Sequence, residues 1–82
     1  MNDTLITDCK TDHNEYLLIR RKEVENMTAL SRSRIYALMD TGDFPRPVTL
    51  GAMSVAWVYA EVQQWIAAKI AERNEIYALL TN

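Results

Sequence analysis

The stretch Val24-Glu25-Asn26-Met27-Thr28-Ala29-Leu30-Ser31-Arg32-Ser33-Arg34-Ile35-Tyr36-Ala37-Leu38-Met39 decides the fold. Its apolar residues fall into two short helical stripes with a break between them. Val24 and Met27 share a face at i, i+3, and Leu30 reaches the same side past the helix end, while Glu23, Glu25 and Asn26 point to water. Ser31 is a strong N-cap, and Ile35, Leu38 and Met39 then recur at i, i+3, i+4 until Asp40-Thr41-Gly42-Asp43 stops the pattern. The spacing predicts a first helix from Arg20-Arg21-Lys22 to Met27, a turn at Thr28-Ala29-Leu30, and a second helix over 31–41.

On the N-terminal side, four consecutive apolar residues, Tyr16-Leu17-Leu18-Ile19, predict a short buried strand or a lead-in to the first helix. Residues 1–15 have no period of 2 or 3.6 and read as a flexible acidic arm. On the C-terminal side, Phe44-Pro45-Arg46-Pro47 must be extended, because each proline restricts the residue before it. Val55, Trp57 and Tyr59 alternate with Ser54, Ala56 and Val58, which predicts a hairpin of 47–50 and 54–58 with its tip at Gly51-Ala52-Met53. From Ala60 to about Leu80 there is no Gly or Pro. There Val62, Trp65, Ile66 and Ile70 oppose Glu61, Gln63, Gln64, Lys69 and Glu72 as an amphipathic helix. Residues 16–82 therefore read as one domain, mainly α with a small β-hairpin, on a winged helix-turn-helix plan.

Composition removes several function classes. Eighty-two residues are too few for a dinucleotide-binding unit, a barrel or a core with a buried catalytic pocket. Cys9 has no second cysteine to pair with, and with His13 alone beside it there is no four-ligand zinc set, so no metal or cofactor is expected. Asp40 and Asp43 flank a Gly turn, but no nucleophile or His converges on them, and an enzyme is not expected. No apolar run is long enough to cross a bilayer, so the expected setting is cytoplasmic, with no membrane partner.

The formal net charge of -2 is unevenly spread. Residues 1–15 set four carboxylates against Lys10, whereas residues 16–58 set six cations against four acids. In the second helix, Arg32, Ser33, Arg34, Tyr36, Ala37 and Asp40 are left over once the core stripe is removed. Arg32 and Arg34 sit where the helix dipole favours anions, an arrangement unfavourable by roughly 0.3 to 1 kcal/mol each until a negative partner arrives. Ser31 and Ser33 add hydroxyls to the free backbone N–H groups, which together can clamp phosphate or read guanine. Double-stranded DNA is the partner this pattern suits; surface solubility is the plain alternative for the two arginines. Tyr36 suits either a phosphate contact or closure of the core edge. Arg20, Arg21 and Lys22 suit backbone contacts or an ordinary solvated helix start. Trp57, Trp65, Met27 and Met39 read as core, and Met53 as an exposed wing tip.

The ordered series Leu18-Ile19-Arg20-Arg21-Lys22-Glu23-Val24, Thr28-Ala29-Leu30-Ser31-Arg32-Ser33-Arg34-Ile35-Tyr36, Phe44-Pro45-Arg46-Pro47-Val48, Leu50-Gly51, Ser54-Val55-Ala56-Trp57, Glu61-Val62 and Trp65-Ile66 resembles the AlpA family over about residues 17–70. The resemblance implies a MerR-like winged helix-turn-helix DNA-binding domain of a prophage or genomic island. It implies sequence-specific duplex binding at a promoter or attachment site, either controlling an integrase gene or acting as an excisionase in recombination. Ser31, Arg32, Ser33, Arg34 and Tyr36 then fall on the family's recognition-helix motif, and Arg46, Thr49 and Ser54 on its wing. Two departures stand out: Ala29 where the family usually has Gly in the inter-helix turn, and Ala52-Met53 where relatives often have Gly-Arg.

With few cations, modest affinity per protomer is expected, which makes a homodimer or a cooperative head-to-tail assembly more necessary. Ile66, Ile70, Tyr77 and Leu80 keep a 4-3-4-3 spacing around Arg73, suited to packing on a second copy or folding back on the core. The competing reading is a small mobile-element module that uses the same scaffold to bind a protein.

Overall fold

The computed structural model describes residues 16–81; the acidic arm expected over residues 1–15 lies outside them. The elements in chain order are β1 (Leu18–Ile19), α1 (Arg21–Thr28), α2 (Arg32–Asp40), β2 (Val48–Gly51), β3 (Ser54–Val58) and α3 (Tyr59–Thr81). This is a winged helix-turn-helix, with one addition to the expected hairpin. The Leu17-Leu18-Ile19 run supplies a third antiparallel strand, in the order β1-β3-β2, with Leu18 opposite Val58 and Ile19 opposite Trp57. It is an edge strand with Leu18 exposed, so the expected burial of all four residues is corrected to a half-buried alternation.

The helix ends follow local chemistry. Ser31 caps α2, its Oγ accepting the Arg34 N–H at 3.1 Å. The other end of α2 closes on Gly42 at φ 79, with the Gly42 N–H donating to Met39 O and the Asp43 N–H to Leu38 O. That paired return is a Schellman closure, and it needs a residue tolerant of positive φ. α1 ends instead with the simpler αL closure, on a less tolerant residue: Ala29 adopts φ 63, and its N–H makes a single return bond to Glu25 O at 2.8 Å. The Thr28 hydroxyl then accepts the Leu30 N–H, completing the turn into Ser31.

The core is built from every element except β2. Val24 of α1, Ile35 and Met39 of α2, Phe44 of the linker, Trp57 of β3 and Val62 of α3 are buried together. Ile19, Met27, Leu30, Leu38, Val55, Trp65 and Ile66 pack against them. Two indole N–H groups hold the proline-bearing linker: Trp57 Nε1 donates to Pro45 O at 3.1 Å and Trp65 Nε1 to Asp43 O at 2.6 Å. Phe44 fills the space between, edge-on to Trp65 with centroids 4.9 Å apart.

Two sequence expectations are amended. The alternation along β3 predicts one buried face, yet both Trp57 and Ala56 are buried. β3 is the middle strand, and a methyl group is short enough to be covered by its neighbours. In α3 the expected apolar face ran to Ile70, but the helix outruns the domain: Ile66 is half-buried, Ile70 is exposed, and every described residue from Ala67 to Leu80 is exposed. Despite its 23 residues, α3 is not apolar enough to cross a membrane.

The left-handed Ala29 generates a stability prediction. A Cβ at positive φ costs about 1 to 2 kcal/mol, of which part is offset by the freer unfolded chain that Gly brings. Ala29→Gly is expected to raise stability by roughly 0.5 to 1 kcal/mol, seen as a higher urea midpoint at unchanged slope.

Candidate nucleic-acid interface

α2 is held by Ile35 and Met39, both buried, with Leu38 half-buried beside them. At 100° per residue that anchors one face and turns Ser33 and Ala37 directly outward. Arg32 and Tyr36 lie on one flank of this ridge and Arg34 on the other. The two guanidinium groups therefore diverge around a ridge of small side chains, an arrangement that lets the helix backbone approach a groove closely. The first turn of α2 contains no acid, so nothing within it offsets the two arginines and the dipole.

Of the two roles the sequence left open for Tyr36, the structure shows closure of the core edge. Its ring meets Trp57 edge-on, 6.4 Å between centroids at 77°, and so closes the core. The Arg32 guanidinium lies 5.6 Å from the same ring, which fixes that cation on the outer surface. With Ser33, these two residues line a shallow depression of about 320 Å³.

A second depression, of about 250 Å³, is lined by Arg20, Arg21, Lys22, Tyr36, Met53 and Val55. It brings the start of α1, the flank of α2 and the wing tip together. Tyr36 borders both depressions and makes the basic surface continuous. Met53 at its rim was read from sequence only as a wing tip; that it shares a cleft with three cations depends on how the hairpin folds over α1, which no local spacing records. The β2–β3 pairing has a register shift between Thr49 and Gly51, and Met53 takes φ 58 at the turn.

Several expected contact residues already have partners within the chain. Arg20 donates through one terminal nitrogen to Ser54 Oγ and to Val55 O, both at 3.3 Å, and so fastens the start of α1 to the wing. Arg21 pairs with Glu25 at 2.8 Å, one turn along α1. Arg46 donates to Met39 O at 3.3 Å, satisfying a carbonyl in the last turn of α2 rather than lying on the wing surface. Ser31 Oγ serves as the cap. Lys22, Ser33, Arg34 and Thr49 are exposed. The Asp43 carboxylate accepts from the Thr41 hydroxyl at 2.7 Å, a role within the turn after α2.

These features define a small winged helix-turn-helix protein of MerR-like plan, with its basic side chains grouped around the recognition helix and the wing base. A family model described as Prophage CP4-57 regulatory protein (AlpA) matches residues 17–70, and the chain belongs to the AlpA family. It is also similar to the uncharacterized protein ORF88 of Enterobacteria phage P4, 42% identical over 66 residues, an alignment covering 80% of this chain and 75% of that protein.

The packing role of Tyr36 is tested by substitution. Tyr36→Phe keeps the ring against Trp57 and is expected to leave stability within about 0.5 kcal/mol, whereas Tyr36→Ala is expected to cost about 1 to 2 kcal/mol. Urea denaturation followed by tryptophan fluorescence measures both.

Proposed function

We propose that this chain is a sequence-specific double-stranded DNA-binding protein of AlpA type, acting as a transcriptional regulator and/or an excisionase of a prophage or genomic island. The observation that carries the reading is the start of α2: a capped helix N-terminus bearing Arg32 and Arg34 without an acid in the turn, presented on an exposed ridge. An isolated domain has no use for that concentration of positive potential, and a phosphate backbone satisfies it directly. Family membership supports a regulatory, prophage-related role, and the phage P4 relative supports the same setting.

In this reading the ridge of Ser33 and Ala37 enters the major groove. Arg34 reaches a base edge from one flank, with guanine O6 and N7 matching its fork of donors. Arg32, held on Tyr36, and Ser31 face the phosphates. Lys22, Arg20 and Arg21 take the backbone across the second depression. Thr49 on β2 and the nitrogens of Arg46 not bonded to Met39 O add further donors to the backbone. The target is a promoter or attachment-site region, with an integrase as the functional partner, and the protein works in the bacterial cytoplasm at the nucleoid. A location overlapping a promoter would make it a regulator; repeats beside an attachment site would make it an excisionase that bends DNA.

The test is fluorescence anisotropy against tiled duplexes from the upstream region of its own gene and from the nearest integrase and attachment region. One tile should bind saturably, with log K falling linearly against log salt, and the Arg32→Ala/Arg34→Ala pair should abolish that binding. Arg34→Ala alone should cost about 1 to 3 kcal/mol and relax specificity. Lys22→Ala should weaken all duplexes alike, and by more than Arg21→Ala, whose guanidinium is already shared with Glu25. Equal or absent binding to every tile, with a flat salt response, would replace this reading by the protein-binding one.

A further inference from the structure

The C-terminal half of α3 is the largest feature that the DNA-facing surface leaves unused. Beyond Ile70, where the family match ends, the helix runs on to Thr81, and its residues 71–80 are all exposed. At 1.5 Å per residue it projects by roughly 16 Å. Ile76, Tyr77, Leu79 and Leu80 on this segment are 56%, 59%, 77% and 74% exposed. A helical extension of that length has little reason to keep four large apolar side chains in water, since isolated short helices are themselves marginal.

Their placement along the helix is specific. Ile66, Ile70, Arg73, Tyr77 and Leu80 follow one another at steps of 4, 3, 4 and 3, which puts them on one stripe, with Ile76 at its edge. The near end of that stripe borders a shallow apolar groove of about 290 Å³, lined by Met27 of α1 with Gln63, Ile66, Ala67 and Ile70 of α3. The far end carries the protruding Tyr77 and Leu80. One helix thus bears both a groove and the side chains to fill one, related by reversal about Arg73. That is the property of a surface that closes on itself through a two-fold axis.

We infer that α3 is a dimerisation helix, pairing antiparallel with α3 of a second copy so that Tyr77 and Leu80 of each chain fill the groove of Met27, Ile66 and Ile70 on the other. The charges agree with this occupant. The exposed segment carries Lys69 and Arg73 against Glu72 and Glu75 and is neutral as a whole, so the only like-charge meeting the two-fold imposes is Arg73 against its own copy at the centre. The size agrees as well: about six apolar side chains per copy, at roughly 60 to 100 Å² each, bury on the order of 1,000 Å² in total, the lower edge of a specific interface. Arg73 in the middle of the stripe keeps the pair weak and reversible. The inference does not depend on the DNA reading, because the pairing surface lies on α3 and its test contains no DNA.

The experiment is sedimentation equilibrium of the full chain without DNA, from about 1 µM to 500 µM. A monomer–dimer equilibrium is expected. Tyr77→Gln/Leu80→Gln should weaken it at least about tenfold, while Leu79→Gln, one residue off the stripe, should leave it within about twofold. Arg73→Leu should tighten it by about fivefold or more. Gln is a good helix former, and unchanged near-UV circular dichroism from Trp57 and Trp65 checks that each variant remains folded. A monomer across the whole range overturns the inference and leaves the stripe to another segment of the chain or a different protein. So does a dimer indifferent to the double substitution, or one weakened equally by Leu79→Gln.

Discussion

Trp57 is the residue through which the parts of this domain are held in register. It lies in the middle strand, opposite Ile19 of β1, is fully buried, receives the edge of Tyr36 from α2, and donates its N–H to the Pro45 carbonyl. Strand, recognition helix and linker therefore share one rigid side chain with only two side-chain torsions. An indole is suited to this because it combines a large apolar area with a single donor, and a buried indole N–H left unpaired would be costly. Trp65 repeats the arrangement one layer away, donating to Asp43 O and packing on Phe44. The two N–H groups fix a linker that, with prolines at 45 and 47, has fewer backbone donors of its own to anchor it.

The angle between α1 and α2 has a separate origin. It depends on a left-handed residue at Ala29 and on the Ser31 cap two residues later, so that one helix ends and the next begins within a single turn. Once that turn is made, burying Val24, Ile35 and Met39 against Trp57 leaves only one face of α2 outward. The orientation of Ser33, Arg32 and Arg34 is thus a by-product of core packing. A surface set this way takes its orientation from the core beneath it.

Much of this was legible in the sequence because the signals are local. The i, i+3, i+4 stripes, the Ser31 cap, the prolines and the alternation along β3 each declare an element within a few residues, and the ordered series over 17–70 resembled the family to which the chain belongs. What escaped was set by distant contacts. A short strand was one of two readings for Tyr16-Leu17-Leu18-Ile19, but its place as a half-exposed edge strand beside Val58 and Trp57, 38 to 40 residues further on, was not. Phe44 looked like part of an extended linker, yet Trp65 makes it a core residue. The face of α3 was read as continuing to Ile70, since helical periodicity shows which residues align and says nothing about where the body beneath them stops. Arg20 and Ser54 were both legible as polar surface groups; that one holds the other was not.

The intramolecular partners of the cations bear on how so weakly basic a chain could engage a polyanion. With six cations and four acids across residues 16–58, its long-range field is small, and at physiological salt fields fade over about 8 Å in any case. Affinity must then come from contacts already in position. Arg20 uses one nitrogen to hold Ser54 and Val55, Arg46 one to hold Met39 O, and Arg32 lies along Tyr36, so each guanidinium is oriented while keeping donors free. A long flexible side chain loses rotamer freedom when it grips a phosphate, and one restrained beforehand has less to lose. Lysine would not give the same result in these positions, because its compact ammonium lacks the planar fork that spreads five donors in fixed directions and the flat face that lies on Tyr36. In a domain with so few cations, Arg20, Arg32 and Arg46 each help build the fold while keeping donors on its outside.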